Sequence, residues 1–314
     1  MKKNILFLIP VAIIIFVVAL YYIPFRSHTD QSKNIAVEDR QLKVITSFYP
    51  LYEVVHQIGG DKVELKNLVP AGAEPHDYEP TPGDIASLYD ADLVIYNGAG
   101  LEPWADKLVP ELAQKNVQTL NQSQYKSPAA PMTDEEGNIV PDPHFWLDPQ
   151  NYMKDVRFIS EKLIQLDPKN QAFYEQNTQK FIGQLQALDQ QFEDGLKNCK
   201  SRTIVTSHDA FSYFSRRYNL EVISIAGLSP DAEPSAQWLT DLTKILQEKK
   251  VHYIFLEALV SPKVAQSLAR EVGAQTLTLN PLEGLTNEEI TAGKNYVSIM
   301  QENLANLKIA LECS

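Results

Sequence analysis

The sequence predicts an α/β protein with two α/β lobes, mainly parallel sheets and one long spine helix between the lobes. Three observations carry this. Short apolar runs of strand length alternate with amphipathic helical stretches from residue 42 to about residue 112. The same alternation returns after residue 201. Between the two, residues 151–198 read as helix almost throughout. Parallel strands need a crossover, usually a helix, so strand–helix alternation signals a parallel sheet.

Leu42 to Phe48 reads as the first strand, and Pro50 to Ile58 as a helix stopped by Gly59-Gly60. Val63 to Val69 is the second strand. Pro82 to Leu88 is a short helix, with Thr81 as its cap and proline at the first helical position. Ala91 to Tyr96 is an apolar strand ending at Asn97-Gly98, and Leu101 to Leu112 is helical. Residues 122–143 are rich in Pro, Ser, Asp and Glu and read as a surface loop.

Helix then runs from Asn151 to Asn198 with a break at Asp167-Pro168. Its second part, Asn170 to Lys197, carries Phe173, Phe181, Leu185, Leu188, Phe192 and Leu196, and would be about 40 Å long. Strands follow at Thr203–Thr206, Val222–Ile225, Val251–Leu256 and Thr276–Leu279. Helices follow at Ala210–Arg217, Ser235–Lys249, Pro262–Val272 and Gly293–Leu311. The expected organisation is 42–150 for the first lobe, 151–200 for the linking helices and 201–314 for the second lobe.

The chain has 314 residues, 44% of them hydrophobic, and a formal charge of −12. Phosphate binding needs a Lys/Arg surplus, so nucleic acid is excluded as a partner. At the N-terminus, Lys2 and Lys3 precede an uncharged run from Ile5 to Ile23. Lysines before an apolar run form an export signal. The run is about long enough to span a bilayer core. It ends in Tyr21-Tyr22-Ile23-Pro24-Phe25-Arg26, with no small-residue cleavage pattern. Residues 1–25 are therefore expected to be an uncleaved membrane anchor, with a cleaved signal as the alternative, and 26–41 a polar tether. Either way the remainder faces an extracytoplasmic space, periplasmic or cell-surface. Cys199 and Cys313 belong to no C-x-x-C motif. In an oxidising compartment they are expected to form a disulfide.

Open α/β sheets bind ligands beyond the carboxyl ends of their strands. Three histidines fall near such positions: His76 after the second strand, His144 between Pro143 and Phe145, and His208 just after Thr206-Ser207. Imidazole suits Zn²⁺ and other late divalent metals. Singly, each is an ordinary loop histidine, and spacing alone does not bring the three together. His56 on a helix surface, His252 at a strand start and His28 in the tether suggest no site.

The words around the three are longer. They are Pro75-His76-Asp77-Tyr78-Glu79-Pro80-Thr81-Pro82, Tyr96-Asn97-Gly98-Ala99-Gly100-Leu101-Glu102-Pro103-Trp104, Pro143-His144-Phe145-Trp146-Leu147-Asp148-Pro149, Thr206-Ser207-His208-Asp209-Ala210-Phe211 and Phe255-Leu256-Glu257. In this order they resemble the metal-binding solute-binding proteins that serve zinc and manganese ABC importers, the zinc-binding members in particular. The resemblance covers about residues 42–312. It implies a metal cleft between the lobes, with His76, His144 and His208 as ligands. It also implies Zn²⁺ as cargo, with Mn²⁺ as the alternative, and an ABC permease as partner. A monomer is expected.

Two departures stand out. The family commonly has an aspartate ligand after the last sheet strand, where this chain has Asn280. The fourth position is then a water, Glu74 or a weak contact from Asn280. The loop before His144 reads Asp134-Glu135-Glu136-Gly137-Asn138, without the histidines some zinc members carry there. Glu257 is expected either to accept a hydrogen bond from a ligand imidazole or to serve as a structural charge partner. Asp77, Asp148 and Asp209 are expected to cap or to brace loops. Rival functions are a zinc hydrolase, for which no H-E-x-x-H motif is present, and a surface adhesin with structural metal.

Overall fold

The protein is described by a computed structural model covering residues 40–125, 132–133, 138–230 and 232–314. The expected anchor, nearly all of the tether and residues 134–137 of the acidic loop lie outside the described residues. No helix among the described residues is long and apolar enough to cross a membrane.

The first sheet has four parallel strands: β1 (Leu42–Thr46), β2 (Val63–Asn67), β3 (Leu93–Tyr96) and β4 (Gln118–Asn121), in the order β2-β1-β3-β4. The order reverses between β1 and β3. A crevice opens at the carboxyl ends of strands where order reverses. All four residues of β3 are buried, as expected of a central strand covered on both faces. β4 has no counterpart in the sequence reading, because Leu120 is its one buried residue in an otherwise polar edge strand.

Helices α1 (Tyr49–Gly59), α2 (Pro82–Tyr89) and α3 (Ala105–Gln114) accompany this sheet. Thr81 and Asp84 close a reciprocal capping box on α2. α1 stops where Gly60 takes φ 49°, a conformation that only glycine adopts without strain. In the stretch expected to be irregular, β5 (Met132–Thr133) and β6 (Ile139–Val140) pair as a short antiparallel ribbon.

The linking helices are α4 (Pro149–Leu166) and α5 (Gln171–Gly195). Asp148 caps α4, accepting from Gln150 N at 2.9 Å. α5 is about 37 Å long. One face of α5 buries Tyr174, Phe181, Ile182, Leu185, Leu188 and Phe192. These side chains belong to one apolar cluster running from Val44 in β1 to Leu307 and Leu311 near the C-terminus. The spine thus serves both halves of the core, and three smaller clusters lie outside it among the described residues.

The second half holds two parallel pairs, β7 (Thr203–Thr206) with β8 (Glu221–Ser224) and β9 (Tyr253–Leu256) with β10 (Gln275–Thr278). Ser207 Oγ, just past β7, donates to Phe255 O of β9 at 3.2 Å. Its helices are α6 (Ser212–Tyr218), α7 (Ala236–Glu248), α8 (Lys263–Val272), α9 (Asn287–Thr291) and α10 (Tyr296–Ala310). α9 is absent from the sequence reading, although Thr286 and Glu289 form a capping box at its start. Cys199 and Cys313 form the expected disulfide, with S–S 1.97 Å. It joins the end of α10 to the segment leaving the spine, beside the hydrogen bond from Ser314 N to Asn198 O.

Candidate metal centre

His76 sits in the loop between β2 and α2. Pro70, Pro75 and Pro80 stiffen this loop, and His76 N donates to Glu74 Oε1 at 3.2 Å. His144 follows Pro143, whose carbonyl accepts from Asn97 Nδ2 at 2.9 Å. The end of β3, at the switch point of the first sheet, therefore holds the His144 segment in place. Phe48, just past β1, packs edge-on against Trp146 at 4.8 Å. His208 stands two residues beyond β7, where Thr206 Oγ1 donates to its carbonyl at 2.8 Å.

The fold brings these three imidazoles together. His144 Nε2 lies 3.2 Å from His76 Nε2 and 3.3 Å from His208 Nε2. Glu283 completes the cluster: its Oε1 is 3.4 Å from His76 Nε2, 3.3 Å from His144 Nε2 and 3.1 Å from His208 Nε2. The ligand atoms of all four residues lie within 4.8 Å of one another. A tetrahedral ion with bonds of about 2.0–2.1 Å needs ligand atoms about 3.3–3.4 Å apart. The five separations just given, 3.1–3.4 Å, come close to that cage, and the remaining pair, His76 with His208, lies within 4.8 Å.

Two of the imidazoles are clamped in the same way. His144 N and Nδ1 both donate to Asp142 Oδ1, each at 2.9 Å. His208 N donates to Glu257 Oε1 at 3.1 Å, and its Nδ1 donates to Glu257 Oε2 at 2.6 Å. A carboxylate only accepts, so each ring carries a proton on Nδ1 and presents Nε2 to the cage, where it can ligate a metal once any proton on it is lost. Ser212 Oγ and Tyr213 OH also donate to Asp142, holding that clamp from α6.

The electrostatics are those of a buried anion among bases. Burial alone would raise the Glu283 pKa, but the charge on His208 and hydrogen bonds from the three histidines hold it well below the usual range. Burial opposes charge on His208, yet Glu257 and Glu283 raise its pKa well above the ordinary value. Burial is likewise outweighed at His144, by Asp142 and Glu283, so its pKa rises. At His76 burial prevails and the pKa falls. Burial and the neighbouring Glu283 push the Glu74 carboxyl upward.

The other candidates fall elsewhere. Asn280 is not in the cage. Its Oδ1 accepts from Leu282 N at 2.8 Å and its Nδ2 donates to Glu289 Oε1 at 3.0 Å, so both ends of its amide are engaged. Glu74 braces the His76 loop from outside the four-residue cluster. Glu257 is the imidazole acceptor. Glu283 escaped the sequence reading although it is an acid in the apolar word Leu282-Glu283-Gly284-Leu285. An acid in such a run is a signal in itself, because charged side chains are seldom fully buried without a partner. His56 stacks on Tyr52 and His252 lies beside Glu312, both away from the cage.

A family model described as zinc-uptake complex component A, periplasmic (ZnuA), matches residues 44–310. The chain belongs to the ZnuA family. The high-affinity zinc uptake system protein ZnuA of Bacillus subtilis is 39% identical to this chain over 280 residues, covering 86% of this chain and 88% of the relative. The zinc-binding lipoprotein AdcA of Streptococcus pneumoniae is 39% identical over 279 residues, covering 86% of this chain. Only 56% of that relative's length is spanned. The Zn(II)-bound ZnuA-like domain of AdcA superposes with TM-score 0.76 at 38% identity, covering 87% of this chain and 100% of that one.

Proposed function

We propose that this protein captures Zn²⁺ outside the cytoplasmic membrane and hands it to the permease of an ABC importer. One observation carries the reading: four chain segments deliver three imidazole nitrogens and one carboxylate oxygen to the corners of a cage sized for a four-coordinate ion. Imidazole-rich, four-coordinate sites favour Zn²⁺, whereas Mn²⁺ suits oxygen donors in octahedral arrays. The relatives named above are called zinc-binding or zinc-uptake proteins, which supports the same cargo.

On this reading His76, His144, His208 and Glu283 are the ligands, and Mn²⁺ is a weaker competitor. A catalytic zinc keeps one position open for water. Four protein donors leave none, which favours transport over hydrolysis. The segment 5–23 tethers a monomer to the membrane, and lobes 42–150 and 201–314 meet at the ion on either side of the 151–200 helices.

Metal analysis of the purified soluble region, with a competition titration of Zn²⁺ against Mn²⁺, tests the reading. One tightly held Zn²⁺ per chain is expected, with Mn²⁺ displaced. A protein with no stoichiometric metal refutes it.

A further inference from the structure

The segment carrying Glu283 is neither helix nor strand, yet residues 279–285 are all buried. Buried irregular backbone needs hydrogen-bond partners. Three of its partners come from segments that hold or clamp a histidine of the cluster. Gly72, on the His76 loop, donates to Leu285 O at 2.9 Å. Trp146, two residues after His144, donates from Nε1 to Pro281 O at 2.8 Å. Leu279 N donates to Leu256 O, next to the Glu257 that clamps His208, at 2.9 Å.

Within the segment, Asn280 sets the turn. Its Oδ1 takes Leu282 N, and Leu282 has φ 59°, in the left-handed region that a branched residue avoids unless held there. Asn303 of α10 grips the Asn280 backbone twice: Asn280 N donates to Asn303 Oδ1, and Asn303 Nδ2 donates to Asn280 O, each at 2.8 Å. Asn280 Nδ2 reaches Glu289 Oε1 at 3.0 Å, while Glu289 Oε2 accepts Thr286 N at 2.9 Å. The result aims one carboxylate oxygen of Glu283 at all three histidines. Its other oxygen is buried without a hydrogen-bond partner among the described residues.

We infer that Asn280, through its bond to Glu289, is a positioning residue that keeps Glu283 one-oxygen and the site four-coordinate, and so sets selectivity for Zn²⁺ over larger, oxygen-seeking cations. This rests on the zinc-binding reading above. Loosening the turn frees Glu283 to swing both oxygens inward or to admit water, which lowers the Zn²⁺ to Mn²⁺ affinity ratio.

The pair allows a matched swap. Asn280→Asp sets two carboxylate oxygens against each other. Glu289→Gln sets a donor against a donor, either at Asn280 or at Thr286 N. The double variant restores one donor and one acceptor. Each single variant is expected to lower the Zn²⁺ to Mn²⁺ affinity ratio about tenfold, the low end for losing a partner that orients a ligand. The double variant is expected to return to the wild-type ratio.

Apo melting temperatures are measured alongside. If one single variant does not fold, the other single and the double decide. Wild-type ratios in a folded single variant overturn the inference, as does a double variant that fails to fold or loses as much selectivity as the two singles combined. Wild type that binds no zinc overturns the zinc reading and this inference together. Wild type that binds zinc with insensitive variants overturns this inference alone.

Discussion

Glu257 holds His208 at two points, accepting from the backbone nitrogen at 3.1 Å and from Nδ1 at 2.6 Å. Both groups are fully or nearly fully buried. The carboxylate fixes the ring's tautomer and its direction together. Glu257→Gln keeps the shape but weakens an acceptor bond to a charged group. Zn²⁺ affinity is expected to fall between about tenfold and a hundredfold. A competition titration against a chelating dye reads this, and unchanged affinity sinks the clamp.

Removing the fourth donor has a different signature. Glu283→Ala takes away the one anion among the four clustered residues and opens a coordination position. Zn²⁺ is expected to bind more weakly than to wild type, with a water in the vacated place. X-ray absorption on the loaded variant counts the oxygen and nitrogen neighbours. A variant that binds as tightly as wild type would remove Glu283 from the ligand set.

Acidity acts through the raised histidines. His144 and His208 hold their protons to higher pH than free imidazole, because Asp142, Glu257 and Glu283 outweigh burial. A group with a raised folded pKa stabilises the apo fold below its unfolded pKa and loses that contribution as pH rises through the folded value. Zn²⁺ must displace those protons. Affinity, and the rise in Tm that Zn²⁺ causes, are therefore expected to shrink as pH falls, beginning above the ordinary imidazole pKa. Thermal melts with and without Zn²⁺ across pH 5 to 8.5, roughly the range in which imidazole titrates, check this. A shift independent of pH contradicts it.

The Cys199–Cys313 bridge closes a loop with a sequence separation of 114. Loops of this size give disulfides a stabilising effect of roughly 4–5 kcal/mol on the chain-entropy account. Replacing both cysteines with serine is expected to lower Tm by several degrees. Tyr296 OH on α10 donates to Trp146 O at 2.7 Å, so loosening α10 should also weaken Zn²⁺. Differential scanning calorimetry of apo and loaded protein separates the two effects. An unchanged apo Tm would show that the bridge contributes nothing.

Much of this was legible in the chain. Burial periodicity placed α4 and α5 and the central strands, because a helix or strand covered by others must show its buried face in the residues themselves. Polar edge strands such as β4, with Leu120 its one buried residue, escape that pattern. The short α9 announces itself only through the Thr286–Glu289 capping box.

The three histidines stood out because each lies in a longer word that resembles those of the metal-binding solute-binding proteins. The role of Glu283 depends on distance rather than on its neighbours in sequence. It lies 75 residues from His208 along the chain, and packing sets their 3.1 Å separation. The amide at Asn280 looked like a weak ligand in the chain, but the fold spends it on the turn and on Glu289. Residue types and local order settled the α/β class, the spine and which imidazoles to watch. The packing of four distant segments settled which oxygen faces them, because a metal cage is defined by separations in space that no local pattern encodes.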